Sequence, residues 1–551
     1  MTPRPTASPH HESESRHARA RWLGVVVMSL GVSLIVIDAT IVNVLIPRII
    51  ANLRLDTTDA QWLTSVYSLV FAALLIPFGR AGDIFGRRRM FVLGTLLFVV
   101  ASIIVATAGD TAALIGGRAL QGVGASMIMP ATLSTVNALF TGRDRAIAFG
   151  IWGSLIGGMA ALGPLLGGWL ASSLGWRWAF AVNLPIGVLL VIGALRLLPE
   201  TKEASAHRGI DWAGGVLAAL GLGALVCGLI EGQTYGWWIP TRPFTAGSVT
   251  WPLSGLSPVP VCLALGLVLI AALITVERTR ARAGRPVMLD LELLRIAGFR
   301  RGIAVSALVS VGELGLLFVL PLFLQNVHGN SPLQISLAIL PLAVGALFSG
   351  PYAGRLAHRY GAPRVVQIGM ALEVVAVLAI GLTLHTGTTG LQLAPWMLVY
   401  GVGLGLASSQ LTNVSLADVP RGHSGQASGT QSTARQIGSA LGIAIIGTVF
   451  ATSLSHAMLG RLEGTRVPQG QRAALAHELR TTAGTFARDL RKRPGAQARV
   501  EARAADESLA VAAERGTLTT SAILAVGLLM TLRLSASSGR SDIRRPEESP
   551  L

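Results

Sequence analysis

The chain is 551 residues long, 51% hydrophobic and only 13% charged, with 64 glycines, a balance too apolar for a soluble protein of this size. Its formal charge of +17 would suit a nucleic-acid binder, but the arginines fall mainly between apolar runs and no aromatic residues interleave them into a reading surface. Nucleic acid is excluded as a partner, and a lipid bilayer is implied.

Runs of roughly 18 to 25 apolar residues, each able to cross a ~30 Å hydrocarbon core as a helix, recur along the chain. They lie near 22–46, 60–79, 90–108, 112–138, 147–171, 178–198, 212–230, 259–276, 302–324, 334–353, 365–384, 394–416, 427–453 and 517–534. The pattern predicts an all-α polytopic membrane protein of about fourteen transmembrane helices. Residues 1–21 form a cytoplasmic tail. The first run is too long for the core of a signal peptide and ends at Asn43 and Pro47 without a small-residue cleavage site, so it is expected to be retained as helix 1. Residues 22–198 then hold a first half of six helices, 199–300 a linker with two inserted helices, 301–534 a second half of six, and 535–551 a second cytoplasmic tail.

With the N-terminus inside, Arg87, Arg88, Arg89, Arg143, Arg145, Arg278, Arg280, Arg282, Arg285, Arg359, Arg364, Arg544 and Arg545 all fall in cytoplasmic segments. The short outer loops hold few basic residues, among them Arg48 and Arg54, and this asymmetry places the chain in the inner (plasma) membrane with both termini cytoplasmic. Segment 454–516 carries Arg491, Lys492 and Arg493 yet would lie outside; long loops translocate largely regardless of charge. Its mixed charge and helical stretches read as a solvated external loop, with lipid headgroups or a partner as the alternative. The two cysteines, Cys227 and Cys262, have no metal-ligand spacing around them, so neither a disulfide nor a metal framework is implied.

The chain repeats itself weakly. Gly79-Arg80-Ala81-Gly82-Asp83-Ile84-Phe85-Gly86-Arg87 is echoed from Gly354 to Gly361 at an offset of 275 (354 − 79), and the same offset carries Gly163 to Gly438, Gly167 to Gly442 and Asp38 to Glu313. Intramembrane carboxylates are scarce, so the last match is the most telling. Two pseudo-symmetric halves are a recurring transporter plan.

In the loop from Gly79 to Arg89, with Gly86, Arg87 and Arg88, glycines allow close helix approach, and Asp83 can accept from a helix N-terminus or pair with an arginine as a breakable latch. A tight turn with solvated charges is the bland alternative. This loop resembles the signature of the major facilitator superfamily, departing from it at Ala81 and Ile84. Four further stretches are similar to those of its fourteen-helix drug:proton antiporter branch: Asp38 to Val44 with Pro47; Leu114 to Gly124 with Arg118, Gln121 and Gly122; Gly158 to Gly168 with Gly163-Pro164 and Gly167-Gly168; and Trp176-Arg177-Trp178 with Asn183-Leu184-Pro185. The resemblance covers about residues 22–450. It implies a drug exporter driven by the proton gradient, without cofactor or metal, taking small lipophilic substrates and protons as partners and acting as a monomer; the motif from Gly158 to Gly168 implies export over uptake.

The residues also speak for themselves. Asp38 lies about nine residues before Pro47, ~13 Å from the outer end, and Arg118 about six residues inside helix 4, ~9 Å deep, at 1.5 Å per residue. Similar depth permits pairing. A desolvated carboxylate holds its proton more tightly and one beside an arginine less so, and movement of one helix would therefore switch proton affinity. A neutral structural acid and a static helix-to-helix tie are the respective alternatives. Glu313, ~17 Å into helix 9 by the same rise, is the third candidate for proton coupling. Asn43, Gln121 and Glu373 are candidates for the wall of a substrate cavity, whereas Glu231 and Arg435 read as structural.

The leading function is proton-coupled export of small lipophilic compounds by alternating access, with proton-coupled uptake of a nutrient as the alternative. A membrane enzyme or sensor is disfavoured, because no nucleophile or metal constellation and no soluble domain is evident, and no phosphate-binding G-x-x-x-x-G-K-[ST] stretch occurs to support direct ATP drive. The topology makes a prediction: Ser541→Cys should resist an impermeant thiol reagent applied to intact cells, while Ser453→Cys or Thr465→Cys should react. The reverse labelling would overturn the fourteen-helix arrangement.

Overall fold

A computed structural model describes residues 9–533 apart from 54, 56, 203–208, 210, 247–248, 253–254 and 466. The tail at 535–551, including Ser541, and the side chains of Asn43 and Pro47 lie outside the described residues. The first half holds α1 (Pro9–Leu53), α2 (Thr57–Phe85), α3 (Arg87–Thr107), α4 (Thr111–Leu139), α5 (Gly142–Ser173), the single turn α6 (Trp178–Ala181) and α7 (Asn183–Leu197). The insert holds α8 (Trp212–Tyr235) and α9 (Pro258–Arg282), joined by a hairpin of β1 (Phe244–Ala246) and β2 (Val249–Trp251) that the all-α expectation lacked. The second half holds α10 (Ala297–His328), α11 (Pro332–Tyr360), α12 (Ala362–Thr383), α13 (Gly390–Ser415), α14 (Ser424–Leu462), α15 (Gln469–Thr481), α16 (Phe486–Lys492) and α17 (Ala496–Thr531).

Among the described residues, twelve helices are long and apolar enough to cross a membrane, or thirteen if the bent α5 counts as one span. The expected fourteen is not reached on apolarity alone, because α4, 29 residues long, is diluted by Arg118 and Gln121. The bend in α5, 43° between the stretches ending at Met159 and starting at Leu162, has a cause in Pro164, whose ring displaces the carbonyl four residues earlier. In α1 the helix runs on through position 47 to Leu53, so Asp38 stands ~22 Å from the helix end, deeper than the proline suggested.

The duplication is structural. In the first half α1 packs on α5 and α7, α2 on α4, and α3 on α4 and α7; in the second, α10 packs on α14 and α17, α11 on α13, and α12 on α13 and α17. Equivalent glycines make equivalent contacts: Gly163 and Gly167 press α5 onto Thr40 and Ile41 of α1, and Gly438 and Gly442 press α14 onto Ala307 and Val311 of α10. Small residues let helices approach where lipid gives no hydrophobic drive to associate. The halves meet along two seams, α5 on α11 and α2 on α14, with Gly150 against Gly350 in one and Gly425 against Gly79 in the other. The inserted α8 packs on α2 and α14.

Segment 454–516 departs most from expectation. The 39 residues of α14 and 36 of α17 reach ~58 and ~54 Å at 1.5 Å per residue, well beyond a ~30 Å hydrocarbon core. Their extensions, with α15 and α16, bury Leu462, Leu475, Leu479, Phe486, Leu490 and Leu509 in one core continuous with the second half. It is a folded helical cap, not a solvated loop. Ser453 is buried within α14, which leaves Thr465 as the usable labelling position.

Gly438→Ala and Gly442→Ala should each lower the melting temperature in detergent. A Cβ at either position meets the backbone of α10, which cannot step aside, and overpacking of ~1–3 kcal/mol outweighs the ~1 kcal/mol gained in helix propensity. Gly116→Ala, with nothing within 4 Å, is the control and should melt no lower than the parent.

Candidate transport site

Asp38 sits at the centre of the first half, 1% exposed, with donors from two other helices. Arg118 Nη1 of α4 donates to Oδ2; Gln121 Nε2 of α4 and Asn183 Nδ2 of α7 each donate to Oδ1 at 3.0 Å. Arg118 is equally enclosed: Nη1 also donates to Gln121 Oε1 at 2.7 Å, Nε to the Leu63 carbonyl of α2 at 3.3 Å, and the guanidinium lies 4.3 Å from the Tyr67 ring centroid. Ser102 of α3 accepts from Gln121 at 2.8 Å and from Asn183 at 3.1 Å. Five helices converge on one buried charge pair, and every oxygen of the carboxylate is occupied. That is what a desolvated ion pair requires if it is to survive in low dielectric.

The second half is built differently. Glu313, at the middle of α10, pairs with Arg435 Nη2 of α14 at 3.5 Å. Both face the seam between the halves, where they line a narrow cavity of about 10 Å³ with Trp152 and Ile156 of α5 and Leu404 and Ser408 of α13. Trp152 Nε1 and Ser408 Oγ on that wall are buried without a hydrogen-bond partner among the described residues. Glu373 of α12 is fully buried, and neither of its oxygens is hydrogen-bonded among the described residues; Tyr400 Oη nearby is likewise unpartnered. The cation of this half comes from α14, whereas that of the first comes from α4, so the repeat keeps the acid and moves its partner.

At the end bearing the arginine-rich loops the halves are latched. Asp83 of α2 accepts from the backbone N–H of Gly425 at 2.9 Å and of Gln426 at 3.0 Å, in the first turn of α14, and from Arg87 Nη2 at 2.9 Å. Helix N-terminus and arginine are engaged together, and the carboxylate also meets the positive end of the α14 dipole. Arg87 reaches on to the Arg421 carbonyl at 3.1 Å. Asn137 donates to Ser424 at 2.9 Å, and Arg145 to Asn413 at 2.9 Å. Each crosses from one half to the other. Gly79 makes room, since a Cβ there would stand 2.5 Å from the Gly425 carbonyl. Gly86 turns the chain at φ +110 beside Glu200, and Arg88 binds the Leu198 carbonyl and Glu200, bracing α3 against the chain that follows α7.

Comparison with known proteins bears on this arrangement. The sequence profile of the Major Facilitator Superfamily matches residues 28–213 and 208–443. The chain belongs to the major facilitator superfamily. It is therefore a multi-pass membrane transporter and not an enzyme. Among its relatives in the superfamily, the probable actinorhodin transporter of Streptomyces coelicolor is 34% identical over 444 residues, 78% of this chain and 72% of that protein. The multidrug resistance protein Stp of Mycobacterium tuberculosis is 32% identical over 463 residues, 83% of this chain and 81% of that one. The multidrug efflux pump LfrA of Mycolicibacterium smegmatis is 32% identical over 440 residues, covering 80% and 82%. The major facilitator fold is seen in the crystal structure of the human organic anion transporter MFSD10, with a TM-score of 0.56 at 14% identity, covering 95% of this chain and all of that one.

Within this major facilitator chain the structure joins Asp38, Arg118 and Gln121 in one cluster and Asp83 with Arg87 in another. Glu313 faces the seam instead of joining Asp38, and Gly163, Pro164, Gly167 and Gly168 shape and pack α5. Gln121 bonds Arg118, Asp38 and Ser102, and Glu373 is fully buried in α12; neither is among the residues that line the seam cavity beside Glu313. Asn43 has its side chain outside the described residues. Sequence reasoning missed Asn183, Ser102 and Arg435 as site residues, although an arginine inside the apolar run 427–453 was a signal for the last.

Asp83→Ala removes the buried partner of Arg87 and of two α14 N–H groups, a change of ~3–5 kcal/mol by the cost of breaking a buried pair. All of it weighs against the latched state. Combined with Ser408→Cys and serine at both native cysteines, it should speed thiol labelling from the arginine-rich side by at least ~10-fold, the equivalent of only ~1.4 kcal/mol. An unchanged labelling rate would show that the latch does not hold that end closed.

Proposed function

We propose that the protein is a proton-coupled antiporter that exports small lipophilic compounds across the plasma membrane, acting as a monomer by alternating access of its two halves, with both termini cytoplasmic. The single observation that carries the proton-coupled part is the enclosure of Asp38. A carboxylate that holds three donors from α4 and α7 in a water-poor bundle is a switch, because its protonation abolishes the charge for which those donors are arranged. Arg118 then keeps only Gln121, the Leu63 carbonyl and the Tyr67 ring, and α1 is released from α4 and α7. The same helix α1 packs on α5, and α5 forms the seam with α11, so the change at Asp38 has a direct mechanical route to the interface between the halves.

Export is supported by relatives named as an antibiotic transporter, a multidrug resistance protein and a multidrug efflux pump. The seam supplies chemistry suited to such cargo: apolar Ile156 and Leu404, the aromatic Trp152 and the Glu313–Arg435 pair. At about 10 Å³ the cavity is far below the ~300–1,000 Å³ of a ligand pocket, so cargo enters only when the halves part, and the unpartnered Trp152 and Ser408 groups are free to meet it.

Asp38→Asn keeps the size of the side chain and one acceptor oxygen, removes titration and turns an NH2 group toward donors that bind the carboxylate. The variant should insert and bind cargo while losing transport driven by a proton gradient in proteoliposomes. Arg118→Gln added to it should cause little further loss, since one switch has already been disabled. Full gradient-driven export by Asp38→Asn would sink the proposal and move coupling to Glu313 or Glu373.

A further inference from the structure

Cys227 and Cys262 are the chain's two cysteines, and they lie one on each inserted helix, outside everything described above. α8 and α9 run antiparallel in a close register set by glycine: Gly221 faces Ile270, Gly266 faces Leu225 and Gly228 faces Leu263. That register brings the two cysteines within about a turn of the same level on two helices packed directly against each other. Both are free and partly exposed. A disulfide needs Cα atoms about 4.4–6.8 Å apart, a separation that packed helices offer only between residues on the facing seam. Two cysteines placed independently in so long a chain would rarely meet there.

Their surroundings select what reaches them. Cys262 is four residues from the start of α9 and Cys227 eight from the end of α8, so both sit ~6–12 Å below the end opposite the arginine-rich loops. The neighbouring face of α9 presents Val261, Leu265 and Val268 outward, each exposed and apolar. That is a lipid-facing surface, and a reagent arriving through it must dissolve in lipid.

We propose that Cys227 and Cys262 form a redox-active dithiol that closes to a disulfide on meeting a lipid-soluble two-electron oxidant of the quinone class. Two S–H bonds break and one S–S bond forms; the two electrons and two protons pass to the quinone, which leaves as the hydroquinone. One thiol bonds through sulfur to a carbonyl carbon of the quinone, and the thiolate of the other attacks that sulfur, so that the S–S bond forms as the S–C bond breaks and its electron pair leaves with the hydroquinone. The bond would tie α9 to α8, the inserted helix that holds α14 through Gln233, whose Nε2 donates to the Ala444 carbonyl at 3.1 Å and to Thr448 at 2.9 Å.

The test uses the full-length protein in proteoliposomes and a fully substituted benzoquinone, which carries no ring C–H for stable thiol addition. Free thiols are counted after denaturation with a mass-tagged maleimide. Two tags are expected before treatment, none afterwards with one hydroquinone formed per chain, and two again after dithiothreitol; a digest of the oxidised protein should contain a linked peptide spanning Cys227 and Cys262. Water-soluble glutathione disulfide should act at least tenfold more slowly. Cys227→Ser should keep its single tag throughout and form no hydroquinone. Retention of both tags in the parent protein, equal speed with the water-soluble oxidant, or a loss of tag in Cys227→Ser that dithiothreitol reverses would each overturn the proposal.

Discussion

The Asp38–Arg118 ion pair is placed where an unpaired charge would cost several kcal/mol even after relaxation, and much of the first half can be understood as the arrangement that makes it tolerable. Gln121 and Asn183 fill the remaining positions on the carboxylate, Ser102 accepts from both amides, and Leu63 and Tyr67 satisfy the guanidinium. None of these residues can move alone, since each leaves a buried group unpaired. α1, α2, α3, α4 and α7 are therefore bound into one block by polar contacts at their centre, with apolar packing around it.

The second half obeys the same constraint by a different route. Its acids are not surrounded: Glu313 has a single cation at 3.5 Å and Glu373 has none of its oxygens bonded among the described residues. Cohesion there comes from the long apolar core that continues from the membrane into the cap formed by α14 to α17. Arg488 and Arg491 of the cap bind the carbonyls of Gln325, Asn326 and Val327 at the C-terminal end of α10, where cations suit the helix dipole. The helix that carries Glu313 is thus gripped from outside the membrane. Two blocks with such different interiors meet along seams where glycines bring the backbones together, with polar and apolar side chains such as Asp83, Arg145, Trp152 and Leu404 packed between them.

What the sequence made legible follows from rarity. Charges within apolar runs are few, so Asp38, Arg118 and Glu313 could be singled out, and the 275-residue offset was visible because glycines that press helices together cannot be replaced cheaply. Asn183 escaped because an amide in Asn-Leu-Pro at a helix start reads as local capping, and Ser102 because a serine in an apolar helix ordinarily bonds its own backbone, as it also does here to Phe98. The cap escaped for a different reason: averaged over 454–516 the composition is arginine-rich and polar, and its buried apolar residues are divided among the ends of α14 and α17 and the short α15 and α16. Arg435 was read as structural amid glycines, since nothing in sequence tells which seam those glycines face.

The latch at Asp83 has a lopsided inheritance. One side is a carboxylate and a guanidinium, each a single codon from something else. The other is a pair of main-chain N–H groups: at 426 any amino acid but proline has one to offer, whereas at 425 a Cβ would run into the Gly79 carbonyl and Asp83 itself, so glycine is held there. Selection acting on how readily the protein opens can therefore tune this contact from the first half in many small steps, while the second half offers it almost nothing to vary.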